Sequence, residues 1–184
     1  MKTRLDTYNN DWYKPGRSVF IRLVWLFISV LFVQCSWNPV SSIRVMLLRL
    51  FGAHIGKNVT IKPGVHVKYP WFLQVGNSVW IGEKVWIDNL TQVTIDDHVC
   101  ISQGAFLLTG NHDYTRTTFD LMVKPIELKE GVWIGAKSIV CPGVVCQSHA
   151  VLTAGSVARN ELQSYTINSG NPALPIKERV IKSE

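Results

Sequence analysis

Aliphatic residues recur at every sixth position through the middle of this chain. Between Ile55 and Leu107 the sequence falls into twenty-residue blocks with an aliphatic residue at the first, seventh and thirteenth positions: Ile55, Ile61, Val67; Val75, Ile81, Ile87; Ile95, Ile101, Leu107. A smaller apolar residue often follows four places on, as at Val59, Val65, Val79, Val85, Val99 and Ala105. A period of six matches neither a 3.6-residue helix nor a two-residue strand alternation. It matches a short strand, a turn and another short strand wound around a three-sided coil. Repeats of this length signal a solenoid, and six-residue repeats a parallel β-helix, whose coil takes about eighteen residues. The two extra residues of each block are expected to bulge at a corner. One coil cannot bury its own apolar side, so successive coils share a core. Gly56, Gly76, Gly82 and Gly135 follow inward positions and suit corners too crowded for a side chain. Pro63-Gly64 and Pro142-Gly143 mark further turns. The strands of a β-sandwich would not hold one phase for so long.

The phase breaks after His112 and resumes at Leu128, Ile134, Val140, Cys146, Leu152 and Ala158. A loop over 113–127 therefore leaves the coil directly behind a histidine. Long loops in compact repeats tend to be functional, and in solenoids they gather on the binding face. Three parts are expected: an arm with apolar and amphipathic helices over 1–50, the β-helix over 51–163 with its loop, and a C-terminal segment with a basic tail over 164–184. From Ser164 to Pro175 the sequence is expected to leave the repeat.

The first fifty residues differ in kind. Residues 1–16 are polar with Trp12, Tyr13 and Pro15, and read as an extended arm. Val19 to Cys35 is almost wholly apolar, but short for a bilayer span and interrupted by Arg22. It lies too far in, and lacks the cleavage pattern, for a signal peptide. Ser41 to Phe51 reads as an amphipathic helix with Arg44 and Arg49 standing off its apolar face. Two roles are open to residues 17–50. They can cap the open end of the β-helix and pack within an oligomer. They can also rest on a membrane surface with their arginines near lipid phosphates. A net charge of +6 favours anionic partners in general. Cys35, Cys100, Cys141 and Cys146 lack CxxC spacing and read as reduced thiols of a cytoplasmic chain, with a peripheral membrane position open.

Several runs together resemble the hexapeptide-repeat O-acetyltransferases. They are Gly110-Asn111-His112-Asp113 before the loop, Val132-Trp133-Ile134-Gly135-Ala136 after it, Ala154-Gly155-Ser156, and Gly170-Asn171-Pro172-Ala173. The maltose and galactoside acetyltransferase branch is most similar. Lys68-Tyr69-Pro70-Trp71 and Cys100-Ile101-Ser102-Gln103-Gly104 add a likeness to the colanic acid biosynthesis acetyltransferases. The resemblance covers roughly residues 41–177. It implies an all-β fold, a left-handed parallel β-helix with an N-terminal α-helical segment and a protruding loop. It also implies a homotrimer, acetyl-CoA as co-substrate in a groove between subunits, a saccharide acceptor such as an exopolysaccharide precursor, and no required metal or nucleic acid.

Acetyl transfer to a hydroxyl needs a base, and a histidine near neutrality can take that proton and hand it to the leaving thiolate. The resemblance places His112 in this role. It implies acceptor contacts at Asn89, Asp88 and Trp133. Small positions at Ala136, Ala154 and Gly155 would let the pantetheine arm lie along the coil, and Arg159 and Lys177 would meet phosphates of CoA. The family often has Thr-Lys where Arg159-Asn160 stands, and an Arg where Leu174 stands. Asp113 could orient His112, although neighbours in extended backbone point apart. His54, His66, His98 and His149 read as structural. A zinc enzyme of the carbonic-anhydrase kind would need three histidines converging between subunits, and a scaffold without chemistry would keep only the β-helix.

Overall fold

A computed structural model describes residues 2–182 of the chain. The six-residue phase becomes three parallel sheets that wall a common core. The first sheet stacks His54–Ile55, Leu73–Val75, Val93–Ile95, Ile126–Leu128 and Val145–Cys146. The second begins Thr60–Ile61, Trp80–Ile81, Cys100–Ile101, Trp133–Ile134 and Val151–Leu152. The third stacks His66–Val67, Trp86–Asp88, Phe106–Leu108, Ile139–Val140 and Val157–Ala158.

Register follows the sixes. Ile61 pairs with Ile81, Ile81 with Ile101, Ile101 with Ile134, and Ile134 with Leu152. These side chains are almost fully buried, and each contributes about 1.5–3 kcal/mol from leaving water. Positions between them turn outward, which leaves Trp80, Trp86 and Trp133 half exposed.

The N-terminal helices close one end. Helix α1 (Val19–Ile28) runs on into a wider π-helical turn, Ser29–Val33. Trp25 packs on Phe51, with ring centroids 5.0 Å apart, and donates its Nε1–H to Val67 O at 3.0 Å. Helix α2 (Ser41–Leu50) lays Val45 and Leu48 over the first coil, and Ser41 Oγ accepts from Ile61 N at 2.8 Å. Capping, one of the two roles expected here, is therefore observed.

Arg44 departs from its expected place off the apolar face. It is fully buried, and its guanidinium donates to the carbonyls of Val33, Val40, Cys35 and Asn38. The end of one helix and the turn that follows it leave carbonyls short of partners, and a fork of five donors serves them together.

At the far end, Thr166–Gly170 continues the second sheet beside Val151–Leu152, then folds back antiparallel onto Ala173–Glu178. The C-terminal run thus keeps one face of the repeat before closing it. The excursion expected at 113–127 is also displaced. Gly110–His112 and Leu121–Val123 form an antiparallel hairpin, and Ile126–Leu128 already lies back in the first sheet. Strand pairing supplies the backbone partners that the six-residue count could not register. Among the described residues no helix is long and apolar enough to cross a membrane.

Candidate active site

The hairpin leaves from the corner between the third sheet and the first. The preceding two coils bulge at this same corner, where their extra residues accumulate. In the first coil the bulge is a 3₁₀ turn, Pro70–Phe72. Two buried polar side chains hold the stacked bulges together. Asn89 is fully buried, accepting from Tyr69 N at 3.0 Å and donating to Tyr69 O at 2.7 Å. Thr109, one coil further, accepts from Leu90 N at 2.8 Å and donates to Asp88 O at 3.1 Å. Gly110 then passes so close to Leu90 that a Cβ would lie 2.6 Å from its Cδ1.

His112 ends the outgoing strand. Its Nδ1 lies 2.9 Å from Phe119 O. A carbonyl only accepts, so Nδ1 carries the proton and Nε2 keeps a free lone pair. Phe119 has a φ of 54°, a left-handed backbone that turns its carbonyl toward the ring. Its side chain stacks on the imidazole at 4.5 Å and 8°. Carbonyl and ring together fix both the tautomer and the plane of His112. Asp113 does not share in this. Its Oδ1 accepts from Thr115 N and Oγ1, and Arg116 pairs with Asp113 at 3.4 Å and with Asp120 at 3.0 Å, which organises the hairpin turn.

The N-terminal arm is the part of the site that the sequence did not disclose. It runs along the bulged corner. Arg4 N donates to Thr117 O at 2.8 Å, Tyr13 Oη to Leu90 O at 2.6 Å, and Trp71 Nε1 to Pro15 O at 2.8 Å. The Tyr8 ring sits 5.7 Å from that of His112. Between arm and corner lies a cleft of about 510 Å³, lined among others by Tyr8, Asp11, Tyr13, Arg22, Lys68 and Tyr69. Burial, reinforced by Tyr69 and Asp88, pushes the Tyr13 phenol up, so it stays a neutral donor. A density of tyrosine, tryptophan and asparagine was the signal available in residues 8–15; nothing periodic tied them to His112.

The remaining expected residues divide. Asp88 lies on this corner, paired with Lys68 at 2.8 Å. Asn89 is at the corner too, but both ends of its amide are occupied by Tyr69, so the expected acceptor contact gives way to a clamp. Ala136, Ala154 and Gly155 occupy the opposite edge of the third sheet, at its corner with the second. Gly155 N donates to Ala136 O at 2.8 Å, and Gly155 has a φ of 71° with open space where a Cβ would stand. Trp133 lies on the second sheet and donates to Ser102 Oγ at 2.9 Å. Arg159 follows the third sheet and Lys177 sits on the closing hairpin; both are exposed. A single chain therefore keeps His112 and the small-residue corner on opposite edges of one sheet.

Of the other histidines, His54 begins the first strand, and His66, His98 and His149 neighbour aromatic rings or turns. His66 meets Trp86 edge-on at 5.4 Å, and burial holds its pKa below the usual value. His149 stacks on Tyr165 at 4.8 Å, and His98 has a φ of 60° in a turn. Among the described residues no three His, Cys, Asp or Glu side chains converge as a metal site requires. All four cysteines are free thiols.

No family model matches the chain. Curated relatives do. The colanic acid biosynthesis acetyltransferase WcaF of Escherichia coli K12 is 37% identical over 170 residues, covering 91% of this chain and 92% of WcaF. The galactoside O-acetyltransferase of the same organism is 28% identical over 138 residues, covering 73% of this chain and 68% of that protein. Among solved structures, the hexapeptide-repeat acetyltransferase VCA0836 of Vibrio cholerae complexed with acetyl-CoA superposes with a TM-score of 0.79. That match has 23% identity and covers 90% of this chain and 92% of that one. The likeness shows the fold, a left-handed parallel β-helix.

Proposed function

The chain belongs to the hexapeptide-repeat acetyltransferases, which take their acetyl group from acetyl-CoA, and from that premise we propose that it acetylates a saccharide hydroxyl with His112 as general base. One observation carries this reading: the Phe119 carbonyl holds the proton on Nδ1 and leaves Nε2 to act, in a ring that neighbours Tyr8 and Leu121 of the cleft lining. The acceptor O–H gives its proton to Nε2 while the oxygen attacks the thioester carbon. The tetrahedral intermediate then expels the CoA sulfur, which takes the proton back from the imidazolium as the ester forms. No protein–substrate bond is required.

The cleft beside His112 suits a sugar. Tyr8 and Tyr69 offer aromatic faces, while Asp11, Lys14 and Asn10 offer acceptors and donors. The galactoside O-acetyltransferase and the colanic acid biosynthesis enzyme are named for carbohydrate chemistry, in keeping with that composition. The small-residue corner at Ala136, Ala154 and Gly155, with Trp133 beside it, is our candidate groove for the pantetheine arm. Arg159 and Lys177 are the candidate phosphate contacts. Because this corner and His112 bound opposite edges of one sheet, we assign each complete site to two chains of a homotrimer.

The test is a panel of saccharide and nucleotide-sugar acceptors incubated with isotopically labelled acetyl-CoA and read by mass. At least one acceptor should gain a single labelled acetyl group. His112→Ala should lower the rate by about 10²–10⁴-fold, with the sedimentation coefficient of the oligomer unchanged. A His112→Ala protein with full activity overturns the base assignment, and a monomer with full activity overturns the two-chain site.

A further inference from the structure

Charge and exposed apolar surface are gathered in one part of the molecule. Of the 26 large hydrophobic side chains exposed among the described residues, 14 lie between Val19 and Leu50. On α1 and its π turn they form a stripe at helical spacing: Phe20, Leu23, Phe27, Val30 and Leu31 are all at least half exposed. The opposite side of the same helix, at Trp25, Ser29 and Val33, is buried against the β-helix. A helix apolar on both sides leaves one of them to be covered by something else.

The charge around it points to what covers it. From Trp12 to Gly82 the chain holds eight Lys and Arg and no Asp or Glu. The rest of the chain holds 11 basic and 13 acidic residues, so the whole positive excess resides in this segment. Only Arg44 of the eight is buried. Arg17 stands at the head of α1, and Arg49 and Lys57 flank exposed Met46 beside α2. Arg22 lines a mostly apolar cavity of about 370 Å³ between α1 and the third sheet, and its buried Nε has no hydrogen-bond partner. On the packed side of α1 with Trp25 and Ser29, Arg22 adds charge near the exposed face without lying on it.

We propose that the exposed side of α1, with the adjoining side of α2, docks on an anionic lipid bilayer, its apolar stripe below the headgroups and its cations among the lipid phosphates. The fifteen residues from Val19 to Val33 span about 22 Å as helix, short of the roughly 30 Å of a hydrocarbon core, so the segment lies in the interface. A second copy joined through this same face would set like charges against like. The proposal stands apart from the acetyl-transfer reading.

The experiment is co-sedimentation of the full chain with vesicles of phosphatidylglycerol and phosphatidylethanolamine, and with vesicles of phosphatidylcholine alone. The protein should pellet with the anionic vesicles and weaken as salt is raised. The triple variant Phe20→Ser, Phe27→Ser, Leu31→Ser should lose at least tenfold in partition while keeping its circular dichroism and its transfer rate. Arg17→Glu with Lys57→Glu, a second route that leaves the apolar stripe intact, should lose binding to the anionic vesicles as well. Absence of binding, equal binding to neutral vesicles, or binding indifferent to both variants overturns the proposal. A lipid-free change of sedimentation coefficient in the triple variant also overturns it, assigning the face to a second copy.

Discussion

The two corners that bound the third sheet are built on opposite plans. The corner toward the first sheet is swollen: it holds the 3₁₀ turn, two buried polar clamps and the hairpin. The corner toward the second sheet is tight, and a Cβ on Gly135 would come within 2.5 Å of Ala154 N. In the coils before the hairpin, register advances by twenty residues, from Ile61 to Ile81 to Ile101. Beyond it the advance is eighteen, from Ile134 to Leu152 and from Leu128 to Cys146. The regular corner presents a shallow strip of backbone, which suits a long flexible arm that contacts amides. The swollen corner presents side chains from three coils and the arm, which suits a compact acceptor that must be oriented against one base. Irregularity here is where selectivity for the acceptor can reside, since every regular rung looks alike.

This contrast can be broken in three places. Ala154→Trp fills the regular corner, where Ala154 is exposed. The Michaelis constant for acetyl-CoA should rise roughly tenfold or more, about 1.4 kcal/mol, with that for the acceptor little changed. Steady-state kinetics in both substrates decide it; an equal rise in both would erase the division of labour. Asn89→Ala opens the swollen corner by leaving the Tyr69 N–H without a partner and its C=O with Phe72 N alone, at a cost of about 1–3 kcal/mol. A melting temperature lowered by several degrees is the expected reading. An unchanged melting temperature with a raised acceptor constant would return Asn89 to the acceptor.

The smallest effect lies in the regular coils. Burial pushes the Cys146 thiol up to about 12, whereas an unfolded cysteine titrates near 8.5. The unfolded state therefore loses its proton first, and stability present below about pH 8.5 declines as pH rises toward 12, by on the order of 1.4 kcal/mol per unit. Cys146→Val should flatten that alkaline decline and leave stability at pH 7 nearly unaltered, as denaturant titrations at pH 7 and pH 10 would record.

Much of this was legible before any coordinates. The inward residues, the corner glycines and the interruption at His112 all follow from a phase of six, because the same burial recurs at each coil and leaves the same trace in sequence. Gly110-Asn111-His112-Asp113 singles out His112, the base we propose, through resemblance. The six-residue phase registers only a loop over 113–127, because it carries no trace of the pairing between Gly110–His112 and Leu121–Val123. Helical spacing alone turns Arg44 outward, because it reports one helix and not the carbonyls that a neighbouring turn brings to it.

Sequence by itself determined the coil, the core and the position of the imidazole along the chain, since all three are set by short-range periodicity and a local motif. Tertiary structure decided which nitrogen of His112 is bare, that Tyr8 stands beside it, and that Asn89 is a clamp. Those outcomes depend on atoms separated by anything from seven residues to more than a hundred, whose meeting is set by how corners stack in space. Spacing carries no record of such meetings, because a residue that seals a corner and one that touches a substrate can occupy the same place in a repeat.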